Sequence, residues 1–137
     1  MISFWVSGIP ATKGSWRAYR NKRSGKSVLV PMNAKEKPWR EHVQWVARTT
    51  MAALREQPLT GPASVRVVFY LPKPKKPFNP WPVGDVDKLA RSLLDALSGI
   101  VYVDDKQVVT LTASKAWADS GGPNHNGDGP GALVEIA

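Results

Sequence analysis

Cysteine is absent from the 137 residues. Disulfide frameworks, thiolate zinc sites, iron–sulfur clusters and a cysteine nucleophile are therefore excluded. Imidazole is scarce: His42 and His125 are the two histidines, so any metal has to rest mainly on oxygen ligands. Long apolar runs are also missing, the longest falling far short of the roughly 20 residues that a spanning helix needs. The first residues lack a basic segment followed by an apolar one. Nothing marks the chain for a membrane or for export, and a cytoplasmic protein is expected. The length suits one domain covering residues 1–137, since domains run to about 100–200 residues.

Acidic residues are few overall, 11 Asp and Glu against 19 Lys and Arg for a net charge of +8, yet they are unevenly placed. Residues 1–60 carry eleven basic side chains and three Glu, so the whole excess is N-terminal; residues 61–137 are balanced at eight of each. A concentrated positive field is the usual electrostatic footprint of nucleic-acid binding, although merely soluble basic proteins share it. Within the balanced half, Asp85, Asp87, Asp95, Asp104 and Asp105 fall in one short stretch. Such a cluster repels phosphate unless a cation lies between the two.

Along the chain, Ile2 to Val6 reads as a first strand closed by Gly8-Ile9-Pro10. Lys13 to Lys26 reads as a basic loop, either solvated or a phosphate-contacting arm in which Lys13, Arg17, Arg20, Lys22 and Arg23 alternate with Trp16 and Tyr19. Val28–Val30 predicts a short strand, and Asn33 to Arg55 a helix capped by Asn33, with Trp39, Val43, Val46, Ala47, Thr50 and Leu54 on its apolar face. His42 on this helix reads as a surface or packing residue and His125 as an exposed loop residue. Ala63 to Leu71 is the clearest strand. Five prolines between Pro72 and Pro82 exclude helix and central strand there; Lys73, Lys75, Lys76, Phe78 and Trp81 suit either a stiff connection or a DNA-facing loop, with Trp81 able to wedge against an unstacked base. Val86 to Leu97 has helical spacing ended by Gly99. Ile100–Val103 predicts a short strand, Asp104–Lys106 a turn, Gln107–Trp117 a long strand, 120–131 a loop, and Ala132–Ile136 a last strand.

Asp85 at the start of the second helix is explained by capping, and Asp87, Arg91 and Asp95 at i, i+4 and i+8 by an ion-pair ladder. Neither accounts for the second N-terminal acid. Asp104 and Asp105 alone read as a solvated turn, but the chain order lets one of them face Asp85 and Asp87. Three crowded carboxylates raise one another's pKa unless a cation compensates, and Mg²⁺ or Mn²⁺ is the natural hard, oxygen-seeking choice. Such a metal polarises a phosphoryl oxygen and activates water, while Arg91 or Lys88 adds charge to the transition state. Basic arms beside an acidic metal pocket describe a nuclease.

At these residues, Gly84-Asp85-Val86-Asp87-Lys88-Leu89, Leu94-Asp95-Ala96-Leu97 and Val103-Asp104-Asp105-Lys106-Gln107-Val108, the sequence resembles the RusA family of Holliday junction resolvases, common in phages and prophages. Val6-Ser7-Gly8-Ile9-Pro10 with Lys13 is similar to the family's first strand and basic turn. The resemblance implies an α+β fold, a small mixed sheet packed by two helices. It further implies a homodimer that cuts two opposing strands of a four-way DNA junction symmetrically with a divalent metal, in recombination and repair within a bacterial host. Asp85 and Asp87 match the family's paired metal-binding acids, and Asp105 the acid completing the site. The family's catalytic lysine falls at Arg91, which keeps the charge but cannot give up a proton; Lys88 is the alternative source of an ammonium. Two other readings stand beside this one: a nuclease preferring forks or flaps, and a non-catalytic basic nucleic-acid-binding protein whose acids only cap a helix and shape a turn.

Overall fold

The computed structural model describes residues 1–14, 16–20, 22–31, 34–118 and 129–137. Strand β1 (Ile2–Ser7) leads into a hairpin of β2 (Trp16–Arg20) and β3 (Ser27–Pro31). Helix α1 (Glu36–Leu54), strand β4 (Ala63–Leu71), helix α2 (Val86–Leu97), a 3₁₀ turn (Asp105–Gln107), β5 (Val108–Trp117) and β6 (Gly131–Ile136) follow. The main sheet has the order β1-β6-β4-β5. β6 pairs antiparallel with both β1 and β4, while β4 and β5 run parallel. A parallel pair needs a crossover, and α2 supplies it. The result is the α+β fold expected, a mixed sheet with two helices.

Period-two alternation explains the strands. Ile2, Phe4 and Val6 of β1, Val65, Val67 and Phe69 of β4, and Ala132, Val134 and Ile136 of β6 are all buried, in one apolar cluster with both helices. In α1 the buried residues recur every fourth position, Trp39, Val43, Ala47 and Met51. Leu54, expected on that face, is half exposed at 50% because the buried stripe ends at Met51 and Arg55 turns the chain away in the left-handed region. The helices are joined by a buried polar pair, Ser92 Oγ donating to Glu36 Oε1 at 3.0 Å, which fixes how α2 lies on α1.

Three sequence expectations need correction. The basic segment after Lys13 is not a plain loop: Trp16–Arg20 pairs with Ser27–Pro31, the aromatic and β-branched residues making a ladder closed by Gly25 at φ 68°. Residues 100–103 do not form a strand. Gly99 at φ 80° folds the chain back under α2, and the amides of Ile100 and Val101 both donate to Leu97 O, leaving Tyr102 with isolated bridges to Leu59 and Ser98. The first helix begins at Glu36 behind Lys35; Asn33, its expected cap, lies outside the described residues, as does His125.

On the sheet face away from the helices, the Trp5 ring meets Tyr70 at 6.0 Å between centroids and passes over Gly131. A Cβ at Gly131 collides with the Trp5 ring and with the Val6 carbonyl, and the backbone cannot step aside. Gly131→Ala is therefore expected to lower stability by about 1–3 kcal/mol, read as a lower urea midpoint at unchanged slope.

Candidate active site

The acids are positioned by α2 and by the turn that follows it. The N-terminus of α2 is set by Gly84 at φ 92° and by Lys115 of β5, whose Nζ donates to the carbonyls of Pro82 and Gly84, both at 2.7 Å. Asp85 occupies the N-cap position, yet its carboxylate makes no capping hydrogen bond. It is largely exposed, with Lys88 Nζ 3.5 Å from Oδ2. Capping thus fails to explain Asp85. Asp87, in the first turn of the helix, is exposed, as is Arg91. The expected ladder through Asp87, Arg91 and Asp95 does not form, because Asp95 pairs with Lys13 instead.

Lys13 reaches α2 twice. Its backbone N–H donates to Lys88 O at 3.1 Å, and its ammonium donates to Asp95 Oδ2. The loop after β1 is thereby laid along one side of α2, with a cation among the acids.

The second group of acids hangs from a buried tyrosine. Tyr102 is fully buried, and its hydroxyl donates to Leu94 O at 2.8 Å, tying residues 102–107 to the last turns of α2. Burial first, then the nearby Asp105, Asp95 and Asp104, push the Tyr102 hydroxyl well above its ordinary value, so it stays a donor. Asp104 builds the turn. Its carboxylate accepts from the Lys106 N–H at 2.9 Å, its own N–H donates to Gln107 Oε1, and Gln107 Nε2 donates to the carbonyls of Leu59 and Gly61. The Lys106 amide holds the Asp104 carboxyl below the usual range. Asp105, projecting from the same turn, behaves oppositely: desolvation, then the side chains of Asp95 and Asp104, push it up.

Asp105 therefore stands with Asp95, two turns of α2 beyond the acid pair that the sequence order places opposite it. Eight residues separate Asp87 from Asp95, roughly 12 Å of helix rise. Among the described residues no three histidine or carboxylate side chains gather closely enough to hold a metal ion. The donor chemistry nonetheless fits a hard divalent cation. Mg²⁺ commonly takes only one or two carboxylates and completes its shell with waters and substrate phosphate. Asp85 and Asp87, exposed at the start of α2, offer carboxylate oxygens of that kind.

The remaining sequence candidates are scattered over the surface. Lys22 and Arg23 are exposed in the β2–β3 connection, and Lys73, Lys75, Lys76 and Trp81 are exposed between β4 and α2. The Arg17 and Arg20 side chains lie outside the described residues. His42 stacks on Trp45 at 6.3 Å, a packing residue as expected. Sequence reasoning missed the partnership of Lys13 with Asp95 and the clamp made by Lys115. The lysine after the first strand was visible, but no spacing rule links it to an acid 82 positions away.

Two comparisons bear on this arrangement. The family model for endodeoxyribonuclease RusA matches residues 9–124. An uncharacterized protein of Bacillus subtilis (strain 168), YqaN, is 33% identical over 132 residues, covering 86% of this chain and 89% of that protein.

Proposed function

Because the chain belongs to the RusA family of endodeoxyribonucleases, hydrolases of DNA, we propose that it is a Mg²⁺-dependent, structure-selective nuclease resolving four-way junctions by paired symmetric nicks. It acts as a homodimer, in recombination and repair in the cytoplasm of a bacterial host, with phage or prophage origin. Two-fold symmetry suits a junction, which offers two equivalent strands to two equivalent sites. The observation that carries the reading is the match to the endodeoxyribonuclease RusA model over residues 9–124, together with acids at both ends of α2 in a chain of net charge +8. Among the described residues no helix is long and apolar enough to cross a membrane.

In this reading the divalent ion, Mg²⁺ or Mn²⁺ in its place, is held by Asp85, Asp87 and Asp105 once DNA is bound, which requires the Asp105 turn to close on the pair from its place beside Asp95. Bound there, the ion supplies polarisation of the phosphoryl oxygen and a lowered pKa for the attacking water. Arg91, exposed on the helix face of Asp87 and Asp95, sets a permanent planar charge against the phosphate but takes no part in proton transfer. Lys88, held by Asp85, balances that carboxylate, and Lys13 does the same for Asp95. Lys22, Arg23, Lys73, Lys75 and Lys76, with Arg17 and Arg20, draw in the DNA backbone.

A specific observation favours a second reading, a non-catalytic DNA-binding protein: the acids are split between the two ends of α2 rather than gathered. Cleavage of a labelled four-way junction separates the two, run with Mg²⁺, with EDTA and with Asp87→Asn, beside fork and linear duplex DNA. Paired nicks that vanish in both controls are expected. Binding without cleavage in Mg²⁺ and in Mn²⁺ selects the second reading, and fork cleavage exceeding junction cleavage selects the fork nuclease.

A further inference from the structure

Phe78, Trp81 and Val83 are 98%, 57% and 70% exposed, three large apolar side chains within six residues. Clustered exposure of this kind marks a contact surface. They are not loose. Phe78 and Trp81 line a groove of about 200 Å³ together with Pro74, Pro77, Lys76 and Trp117. The prolines stiffen one wall, Trp117 belongs to β5, and Lys73 Nζ lies 4.7 Å above the Trp117 ring. At its far end the loop is clamped by Lys115 on Pro82 O and Gly84 O, immediately before Asp85.

We propose that this groove receives one unstacked nucleobase of a branched or single-stranded DNA. The occupant follows from the chemistry of the walls. Flat aromatic and proline surfaces favour a planar ring, and base–aromatic stacking tolerates any base. Lys73, Lys75 and Lys76 beside the groove match the phosphates flanking such a base, whereas an apolar peptide has no use for three lysines. Rigidity reduces the entropy lost on binding. Val83 of the groove lies two residues before Asp85, so a seated base brings its strand next to the start of α2. In assigning DNA as the polymer, the inference rests on the nuclease reading.

The test uses the full chain and a four-way junction carrying 2-aminopurine at the branch, with the same probe in linear duplex as the comparison. Wild type is expected to change the 2-aminopurine signal at the branch only. Phe78→Ala/Trp81→Ala is expected to abolish that change and to weaken junction binding about tenfold or more. The slope of log affinity against log salt stays as in wild type, because every lysine that neutralises a phosphate is still in place. Lys75→Ala/Lys76→Ala is expected to reduce that slope instead, by roughly 0.7–0.9 for each phosphate no longer neutralised. Phe78 and Trp81 are exposed, so far-ultraviolet circular dichroism is expected to be unchanged. Junction binding with a silent 2-aminopurine probe overturns the inference and leaves the nuclease reading standing. Failure to bind any DNA overturns both. A change of oligomeric state in the aromatic variant overturns it in favour of a second copy of this chain.

Discussion

Replacing Asp105 with Asn is expected to reduce junction cleavage by about 100-fold or more while leaving the protein at least as stable as wild type at neutral pH. The magnitude is that of weakening the hold on an ion that supplies much of the charge stabilisation of the transition state. The stability half follows from the carboxyl's surroundings: partial burial and the neighbours Asp95 and Asp104 raise its pKa in the folded state. A carboxyl with a raised folded pKa contributes stability below its unfolded value and loses it as pH climbs through the folded value. Above that value the charge is in place and its cost is borne in full. Asn removes the charge and keeps the shape, so the variant matches or exceeds the wild-type Tm at pH 7, and its advantage shrinks as pH falls into the acid range. Added Mg²⁺ is expected to raise the Tm of wild type and not of the variant, since an ion stabilises only the state that binds it. Thermal scans at several pH values, with and without Mg²⁺, together with a cleavage time course, check all three. A variant that cleaves normally removes Asp105 from the site; one that unfolds makes it a structural residue.

The legible parts of this molecule are those whose signal is local. Val86 to Leu97 is a helix with the bounds its apolar spacing gives, and Ala63 to Leu71 is a strand with the bounds its β-branched run gives. The resemblance carried by Asp85, Asp87 and Asp105 is matched by a family model over residues 9–124. What stayed illegible depends on distant partners. Ile100 to Val103 is as β-prone as a strand, but its first two amides are taken by Leu97 and its tyrosine is drawn inward to Leu94 O. That single tether decides that the Asp104–Asp105 turn docks beside Asp95. The ladder on α2 fails for a related reason: a lysine from the loop after β1 outcompetes Arg91 for Asp95. Helical spacing shows which side chains can meet on one helix, and it is silent about a cation arriving from another part of the chain.

Lys13→Met is expected to slow junction cleavage by about 10- to 100-fold, the usual consequence of removing a group that supports a reactive cluster from its outer side. The fold survives, because the backbone N–H of residue 13 still reaches Lys88 O and the lost ammonium is partly exposed. Two mechanisms predict different kinetics. If Lys13 offsets the Asp95 charge that raises the Asp105 carboxyl, removing the ammonium raises that carboxyl further, and the acid limb of the cleavage–pH profile moves to higher pH. Lys13→Arg then restores both rate and profile, since charge rather than proton transfer is needed. If Lys13 instead binds the DNA backbone, KM rises, the salt slope of binding falls by about one phosphate's share, and the acid limb stays in place. The geometry favours the first, because the amine, though partly exposed, is already paired with Asp95. Single-turnover cleavage across pH for wild type, Lys13→Met and Lys13→Arg distinguishes them, and an unmoved acid limb in Lys13→Met assigns the residue to DNA binding alone.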